Sequence, residues 1–281
     1  MVKNSGKCFL LIIACAFFAL NSCNVDLLGL FGSNDLSRRW DARNSFKFLK
    51  DADRNLALGS TYSFLVVTDT HIDDNKLGKS DYLGLRKLKD IIDNENIKFV
   101  VFCGDVTQKG TRKEIQEFID VAQTLGVPCF PIVGNHDVYQ GNWPEWESLI
   151  GSTVYRIDSD SDTFLMLDSA NAFLGAKQLD WLESELNRAN GKAFVFSHTN
   201  FFIKSPVDLQ QLTDVRERAR AMSILQGRAE IIFMGHLHKR VINDLGGVEY
   251  VAIEDFRDQA AYCKVDVTPD GFAWNIKNLS R

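Results

Sequence analysis

The 281-residue sequence lacks the long apolar runs and the basic excess that mark two large classes of protein. Its longest apolar run, from Cys8 to Leu20, is shorter than the about twenty residues that a membrane-spanning helix needs. Lys and Arg number 32 against 37 Asp and Glu, and the net charge is −5. Proteins that bind polyanions usually carry a basic excess, so an extended nucleic-acid surface is disfavoured. A small phosphorylated substrate needs only a local positive site and stays possible.

Cysteine is too scarce and too scattered to indicate a disulfide framework. Two of the six cysteines lie in the first apolar run, and Cys103, Cys129 and Cys263 lie inside strand-like apolar segments. A cysteine in such a place is usually a small buried hydrophobe. With 45 % apolar residues and only five prolines, the chain has the composition of a globular protein with a large core.

The N-terminal apolar run has the form of a secretory signal. Lys3 and Lys7 precede it, and no polar residue interrupts it. It ends in Leu20-Asn21-Ser22-Cys23, which resembles the lipobox of bacterial lipoproteins, where the cysteine is lipidated and becomes the mature N-terminus. Residues 1–22 are therefore predicted to be a lipoprotein signal peptide, with Cys23 as the lipidation site. We expect an exported protein, lipid-anchored to a bacterial membrane on its periplasmic or cell-surface face.

A polar segment follows the signal. Residues 23–59 are predicted to form a tether and an N-terminal segment, with one amphipathic helix over 37–58. The folded domain is predicted to cover residues 60–281.

From residue 60 onward, short apolar runs alternate with helical patterns. The runs rich in Val, Ile and Phe lie at 62–67, 97–103, 127–133, 162–167, 192–197 and 230–234. Apolar residues at helical spacing surround Leu88, Phe118 and Leu182, and they predict three helices between the runs. Three more strand-like segments close the chain at 248–253, 260–267 and 271–276. This order predicts an α/β domain whose last part forms antiparallel strands.

Polar motifs follow five of these runs, at the point where each strand would end. They are Asp69-Thr70-His71, Gly104-Asp105, Gly134-Asn135-His136-Asp137, Ser197-His198 and Gly235-His236-Leu237-His238. All five histidines of the chain belong to them, and the three glycines permit a close approach of the backbone. Ligands of open α/β sheets bind outside the carboxyl ends of the strands, so the motifs are expected to converge there. A buried cluster of imidazoles and carboxylates is costly unless each group has a partner, and a bound metal provides one.

In this order, the motifs resemble the signature of the calcineurin-like metallophosphoesterase superfamily, over about residues 60–240. The resemblance implies an α/β fold, a sandwich of two mixed β-sheets flanked by α-helices, with a dinuclear metal site at the C-terminal edges of the strands. The resemblance implies that one metal is bound by Asp69, His71 and His238. It implies that the other is bound by Asn135, His198 and His236, and that Asp105 bridges both.

The chemistry of phosphate ester hydrolysis agrees with this set of donors. Two cations can clamp a phosphoryl group, and a metal-bridging hydroxide is then the expected nucleophile. Because imidazole is the main donor, two divalent or trivalent transition-metal ions (Fe, Mn or Zn) are expected. The resemblance implies that His136 stands beside the metals and either donates a proton to the leaving oxygen or stabilises the charge of the crowded phosphorus centre. Asp137 either orients His136 through the other ring nitrogen or caps the turn.

The expected function is that of a phosphoesterase of the phosphodiesterase-like branch, which the Gly104-Asp105-Val106-Thr107 segment resembles. Two alternatives stay open, a broad phosphomonoesterase and a non-catalytic interaction domain of the same fold. The expected partners are a small phosphorylated substrate and the membrane, through the lipid anchor. The sequence identifies no protein partner.

Several residues near the motifs have two interpretations. Five aromatic residues near the motifs either stack on a nucleobase or pack in a core or lid, namely Tyr139, Trp143, Trp146, Phe201 and Phe202. Arg112 and Lys113 either touch a substrate phosphate or form the solvated face of a helix.

Overall fold

The computed structural model describes residues 36–76, 83–202 and 211–280. Its helices and strands, in chain order, are α1 (Leu36–Asp41), β1 (Asn55–Leu56), β2 (Tyr62–Val67), α2 (Leu83–Asn94), β3 (Ile97–Cys103), α3 (Arg112–Thr124), β4 (Cys129–Ile132), α4 (Trp143–Leu149), β5 (Tyr155–Ser159), β6 (Thr163–Met166), α5 (Ala176–Asn187), β7 (Ala193–Phe196), α6 (Val215–Leu225), β8 (Ile231–Met234), β9 (Val241–Leu245), β10 (Val248–Ala252), α7 (Phe256–Gln259), β11 (Ala261–Thr268) and β12 (Gly271–Asn278).

The strands form two mixed sheets that pack face to face. One sheet has the strand order β1-β5-β6-β7-β8-β10-β9, and the other has the order β12-β11-β2-β3-β4. Neighbouring strands run parallel in both sheets, namely β2, β3 and β4 in the smaller sheet and β6, β7, β8 and β10 in the larger. The pairs β2–β11, β11–β12, β5–β6 and β9–β10 are antiparallel, and the short edge strand β1 pairs parallel with β5. The predicted sandwich of two mixed sheets is confirmed.

An aromatic layer fills the space between the sheets. Phe64 stacks on Phe99 with ring centroids 4.7 Å apart, and Phe164 stacks on Phe194 at 5.4 Å. The two pairs meet edge to face, where the rings of Phe99 and Phe164 lie 5.1 Å apart. Successive side chains of a strand point to opposite faces, so Leu65 packs on the helical side of the sheet. Helices α2, α3 and α4 cover that side, and α5 and α6 cover the outer face of the larger sheet.

The segment before residue 60 differs from its prediction. The single helix predicted over 37–58 is wrong, because α1 ends at Asp41 and the chain continues in turns. The buried guanidinium of Arg39 pairs with Asp168 at 2.6 Å, and Leu49 and Leu56 join the core between the sheets. One straight helix could not deliver these side chains to separate places on the sandwich. The described chain is therefore packed from its first residue, well before residue 60.

The three cysteines outside the N-terminal region are free and buried, as predicted. None of the helices in the described ranges has both the length and the apolar character that a membrane crossing requires. The predicted signal peptide (1–22), the lipidation site Cys23 and the first part of the tether lie outside the described residues.

Candidate metal centre

Five loops bring the predicted ligands to one edge of the sandwich. They follow β2, β3, β4, β7 and β8, which are all strands of the parallel parts of the two sheets. Backbone hydrogen bonds tie the loops together, from the amide of Asp69 to the carbonyl of Gly104 at 3.1 Å and from Gly235 to His198 at 3.1 Å. The five motifs therefore converge, as their positions after the strands predict.

The first group of donors consists of Asp69, His71 and His238, whose ligand atoms all lie within 4.8 Å of one another. Nε2 of His238 is 3.2 Å from Nε2 of His71 and 3.2 Å from Oδ1 of Asp69. This Oδ1 atom is buried and makes no hydrogen bond. Two imidazole nitrogens that face each other beside an unsatisfied carboxylate oxygen suit a bound cation.

The second group contains Asp105, His198 and His236, with Asn135 beside them. Nε2 of His198 lies 3.1 Å from Oδ1 of Asn135 and 3.2 Å from Nδ1 of His236. Oδ2 of Asp105 lies 3.2 Å from Nε2 of His198 and 3.8 Å from Nε2 of His71. One carboxylate oxygen thus faces both groups, which is the position that a bridging ligand requires.

Neighbouring polar groups orient these ligands. Nδ1 of His198 lies 2.9 Å from the carbonyl of Cys103. A carbonyl only accepts, so Nδ1 carries the hydrogen and Nε2 is turned toward the site, as is common for metal-binding histidines. The hydroxyl of Thr68 donates to Oδ2 of Asp69 at 2.6 Å. Thr68 was not among the predicted site residues, and the signal for it is its place between the end of a strand and Asp69.

Left-handed backbone is concentrated in these loops. Of the eight non-glycine residues with positive φ in the described ranges, five are predicted ligands, namely Asp69, His71, Asp105, His236 and His238. Such a conformation costs on the order of 1–3 kcal/mol for an ordinary residue, and it clusters at functional sites. The fold therefore places backbone strain on the residues predicted to bind metal.

The glycines of the motifs make room for the ligands. A Cβ atom on Gly104 would overlap the ring of His198, and one on Gly134 would overlap the backbone and carboxylate of Asp105. Gly235 packs in the same way against the loop after β2. The close approach that the sequence predicts at these three glycines is confirmed.

The buried carboxylates require positive charge at the site. Burial raises the pKa of Asp69, but the imidazoles of His238, His71 and His198 together outweigh it and hold that pKa well below its usual range. Burial lowers the pKa of His198, yet the charge of Asp105 raises it to about 9. Burial and the charge on His198 lower the pKa of His236 to about 3. A proton or a metal cation can meet this requirement, and carboxylate oxygens with imidazole nitrogens are donors that divalent metal ions accept.

His136 lies beside both groups. Its ring centroid is 4.6 Å from that of His71, and its backbone amide donates to Oδ1 of Asp105 at 2.8 Å. Nδ1 of His136 lies 2.8 Å from the carbonyl of Gln108, so Nδ1 donates and Nε2 is left for other contacts. This position suits a proton donor, and equally a further donor with Asp105 and His71. Gln108 was not among the predicted site residues, because its backbone makes the contact and no residue type signals it.

Asp137 does not have one of its two predicted roles. Its buried carboxylate accepts hydrogen bonds from the amide of Thr107 at 2.8 Å, the hydroxyl of Thr107 at 2.7 Å and the amide of Gly134 at 2.8 Å. Asp137 was expected to hold a ring nitrogen of His136, but Nδ1 of His136 contacts the carbonyl of Gln108 instead. The prediction that Asp137 orients His136 is therefore wrong, and Asp137 caps the turn and joins the loops after β3 and β4.

The structure also decides between the two interpretations of several neighbouring side chains. Trp143, Trp146 and Phe201 are buried in the layers between helices and sheets, so they are core residues. Arg112 pairs with Glu145 at 2.9 Å on the exposed face of α3, as the alternative interpretation predicts.

Comparisons with known proteins agree with this architecture. A probable cyclic nucleotide phosphodiesterase from Fibrobacter succinogenes is 24% identical over 192 residues, which are 62% of this chain and 72% of that protein. A probable glycerophosphodiester phosphodiesterase from Arcobacter nitrofigilis is 29% identical over 198 residues, 62% of this chain and 70% of the relative. The crystal structure of a dimetal phosphatase from Danio rerio shares the fold, with a TM-score of 0.62 at 14% identity over 77% of this chain and 96% of that one.

The family model described as calcineurin-like phosphoesterase matches residues 62–240. This range begins at β2 and ends after the loop that follows β8, so it contains all five motifs of the candidate metal centre. The chain belongs to the calcineurin-like phosphoesterase family, and together with its relatives this identifies it as a hydrolase of phosphoric esters.

Proposed function

We propose that the protein is a phosphodiesterase that hydrolyses a small phosphodiester with two metal ions bound in the candidate metal centre. The observation that carries this proposal is the position of Asp105, whose Oδ2 faces His198 at 3.2 Å and His71 at 3.8 Å. A carboxylate oxygen between two sets of imidazoles allows one side chain to hold two cations close together. Paired cations of this kind stabilise both the attacking and the leaving oxygen of a displacement at phosphorus.

In this proposal each group of donors holds one metal. The ligands are Asp69, His71 and His238 for one ion, Asn135, His198 and His236 for the other, and Asp105 for both. When bound, the two ions supply Lewis acidity and lower the pKa of water near the phosphorus. The share of imidazole donors favours Fe, Mn or Zn over Mg. Asn135 is a neutral donor, so it leaves more positive charge for an anionic phosphate.

His136 acts in this proposal as the proton donor to the leaving oxygen. Its Nδ1 hydrogen is held by the carbonyl of Gln108 at 2.8 Å, which leaves Nε2 as the atom that carries the transferable proton. The amide of His136 is fixed by Asp105 at 2.8 Å, so the ring stays close to the bridging carboxylate. A positioned acid of this kind contributes about 10²–10⁴-fold to rate.

The preference for a diester is supported by the relatives. Both relatives described above, which match about two-thirds of this chain, are named as probable phosphodiesterases. The Gly104-Asp105-Val106-Thr107 segment of the loop after β3 agrees with the same branch. A small ester of this class is the substrate that we propose.

We also propose that the protein is exported and held on a bacterial membrane by lipid on Cys23. The support is in the sequence, where Lys3 and Lys7 precede the apolar run that ends shortly before Cys23. Several acyl chains, each stabilised by about 0.8 kcal/mol per buried methylene, suffice for stable anchoring without a membrane-spanning helix.

A matched pair of esters tests the proposed activity. Methyl nitrophenyl phosphate and nitrophenyl phosphate share a leaving group, and they differ only in being a diester and a monoester. The full chain, loaded in turn with Fe, Mn, Zn and Co, is expected to hydrolyse the diester with the higher kcat/KM. A higher kcat/KM for the monoester with every metal would contradict the diester preference, and hydrolysis of neither ester would contradict the activity itself.

A further inference from the structure

Arg257 lies on α7, beside the loop that carries two of the proposed ligands. The amide of Phe256 donates to the carbonyl of Thr68 at 2.9 Å, and the amide of Arg257 donates to the carbonyl of Asp69 at 3.2 Å. Hydrogen bonds to the Asp69 loop therefore fix the start of α7 and the backbone from which the Arg257 side chain projects.

The guanidinium of Arg257 reaches toward the other side of the site. Its Nη1 atom lies 3.4 Å from Oε1 of Gln108. The backbone carbonyl of the same residue accepts the Nδ1 hydrogen of His136 at 2.8 Å. Arg257 thus contacts the side chain of the residue whose backbone orients the proposed proton donor.

Arg257 is accessible, as is His238 among the proposed ligands, whereas the deeper ligands are not. The side chains of Arg257 and His238 are 31 % and 32 % exposed, while those of His71 and Asp105 are at most 2 % exposed. Arg257 therefore places a positive charge at the mouth of the centre.

The ion pair that Arg257 already makes is one that a substrate can replace. Nη2 and Nε of Arg257 lie 2.9 Å and 3.1 Å from Oδ2 of Asp258, whose side chain is 64 % exposed. Exposed ion pairs contribute little, because water screens them and two long side chains must be held in one geometry. A carboxylate or phosphate takes two parallel N–H donors of a guanidinium and forms stronger hydrogen bonds than a neutral group does.

We propose that Arg257 and Gln108 form a subsite for the leaving-group arm of the phosphodiester, and that the preferred arm carries an anionic oxygen group, either a carboxylate or a second phosphate. This inference rests on the proposed function, in which His136 protonates the leaving oxygen. The proton donor must lie next to that oxygen, so the side chains that adjoin His136 at the mouth of the site face the rest of the same arm. Arg257 then determines which leaving-group arm is preferred, and the metal centre determines whether the ester is hydrolysed.

Two diesters that differ in one charge test the subsite. Methyl para-carboxyphenyl phosphate and methyl para-carbamoylphenyl phosphate contain the same ester bond and leaving arms of nearly the same size, and only the first arm is anionic. The metal-loaded full chain is expected to favour the carboxy ester. Arg257→Gln should lower kcat/KM for the carboxy ester about tenfold, as expected for one charge-assisted hydrogen bond, and lower it for the carbamoyl ester less than about twofold. Arg257→Lys should retain part of the preference.

Two further variants test whether the preference for the carboxy ester depends on the positive charge of Arg257 and not on mutation in general. Gln108→Glu places a carboxylate beside Arg257 and is expected to remove the preference although the arginine is still present. Arg220→Gln removes an exposed arginine of α6 that pairs with Asp180, and it is expected to change neither ester. A non-hydrolysable probe, methyl (para-carboxybenzyl)phosphonate, should bind Arg257→Gln about tenfold more weakly than wild type in calorimetry.

The outcomes distinguish the subsite from the activity. A wild-type protein that hydrolyses both esters without preference, or an unchanged preference in Arg257→Gln, overturns the subsite and leaves the proposed phosphodiesterase intact. A metal-loaded wild type that hydrolyses neither ester overturns the proposed function, and the subsite with it.

Discussion

The backbone amide of His136 donates a hydrogen bond to Oδ1 of Asp105 at 2.8 Å, so the carboxylate that faces both groups of imidazoles also fixes the start of the His136 loop. The two oxygens of Asp105 have separate tasks. Oδ1 holds the loop after β4, and Oδ2 faces His71 and His198. Substitutions that keep one oxygen and remove the other separate these tasks.

Asp105→Asn and Asp105→Ala are both expected to abolish hydrolysis and to reduce the bound metal from two ions to one or none. Asparagine retains an oxygen for the amide of His136, whereas alanine leaves that amide without its acceptor. We therefore expect the free energy of unfolding of chelator-treated Asp105→Ala to be about 1–3 kcal/mol lower than that of Asp105→Asn. Elemental analysis and denaturant titration measure the two effects.

Asp180→Asn provides the control for Asp105, because Asp180 is an exposed carboxylate on α5 that pairs with Arg220. It is expected to keep both metals and full activity. Two tightly bound metals in Asp105→Ala would show that Asp105 is not the bridge.

His136→Ala is expected to keep both metals and to lose activity according to the leaving group. An alkoxide leaves poorly without a proton, so hydrolysis of an alkyl ester should fall about 10²–10⁴-fold. Nitrophenolate is a weak base, and hydrolysis of its ester should fall distinctly less. The ratio of kcat/KM for the two esters gives the difference in transition-state free energy. Equal losses would assign His136 to positioning, and loss of a metal would assign it to the ligands.

Asp137→Ala is expected to destabilise the fold without changing the response to the leaving group. The substitution leaves the buried amides of Thr107 and Gly134 without acceptors. Each such loss costs about 1–3 kcal/mol, so the free energy of unfolding should fall by at least about 2 kcal/mol. Denaturant titration measures this change. If instead stability were unchanged and only the alkyl ester were affected, Asp137 would act on His136 after all.

Gly104→Ala is expected to displace His198 and remove a metal. Gly104 has φ +84°, and a methyl group there would overlap the His198 ring. Gly227→Ala is the matched control, since Gly227 has φ +68° with nothing within 4 Å of the added Cβ. Both variants bear the left-handed cost of about 1–2 kcal/mol, and only Gly104→Ala should also lose a bound metal by elemental analysis. Equal metal contents in the two variants would contradict this account.

Cys23→Ser is expected to abolish incorporation of a labelled fatty acid and to release the protein from the membrane fraction. The purified variant should hydrolyse phosphodiesters as the wild type does, because Cys23 lies outside residues 62–240, the range of the family match that contains all five motifs. Metabolic labelling followed by fractionation is the measurement. An unlabelled wild-type protein would refute the lipid anchor.

The central strands were predictable because they are apolar on both faces. Six of the seven residues of β3 are apolar, and its predicted bounds, 97–103, are those of the structure. Strand β9 was not predicted, since it lies at the edge of its sheet and pairs only with β10. Ile242 and Leu245 are exposed there, so no alternation of apolar and polar residues marks the strand. Helix α6 was missed for a related reason, because few of its residues are buried.

The donors of the candidate centre were predictable in kind but not in arrangement. Their motifs follow recognisable strands, and strand order brings them together. Their left-handed backbone and their partners depend on tertiary contacts that no local pattern encodes. Asp137 is the clearest example, because the Thr107 groups that it accepts from are 30 residues away in sequence and one of them is a backbone amide.

The left-handed backbone of the five ligands affects how substitutions there change stability and activity. A change from His238 to glycine deletes a donor, yet it also releases a residue from an unfavourable conformation. Such a variant would lose its chemistry while remaining well folded. Cellular proteases and chaperones act on unfolded chains, so they would not remove it. Activity and abundance are therefore separable in this protein, and inactive copies would accumulate to the level of active ones.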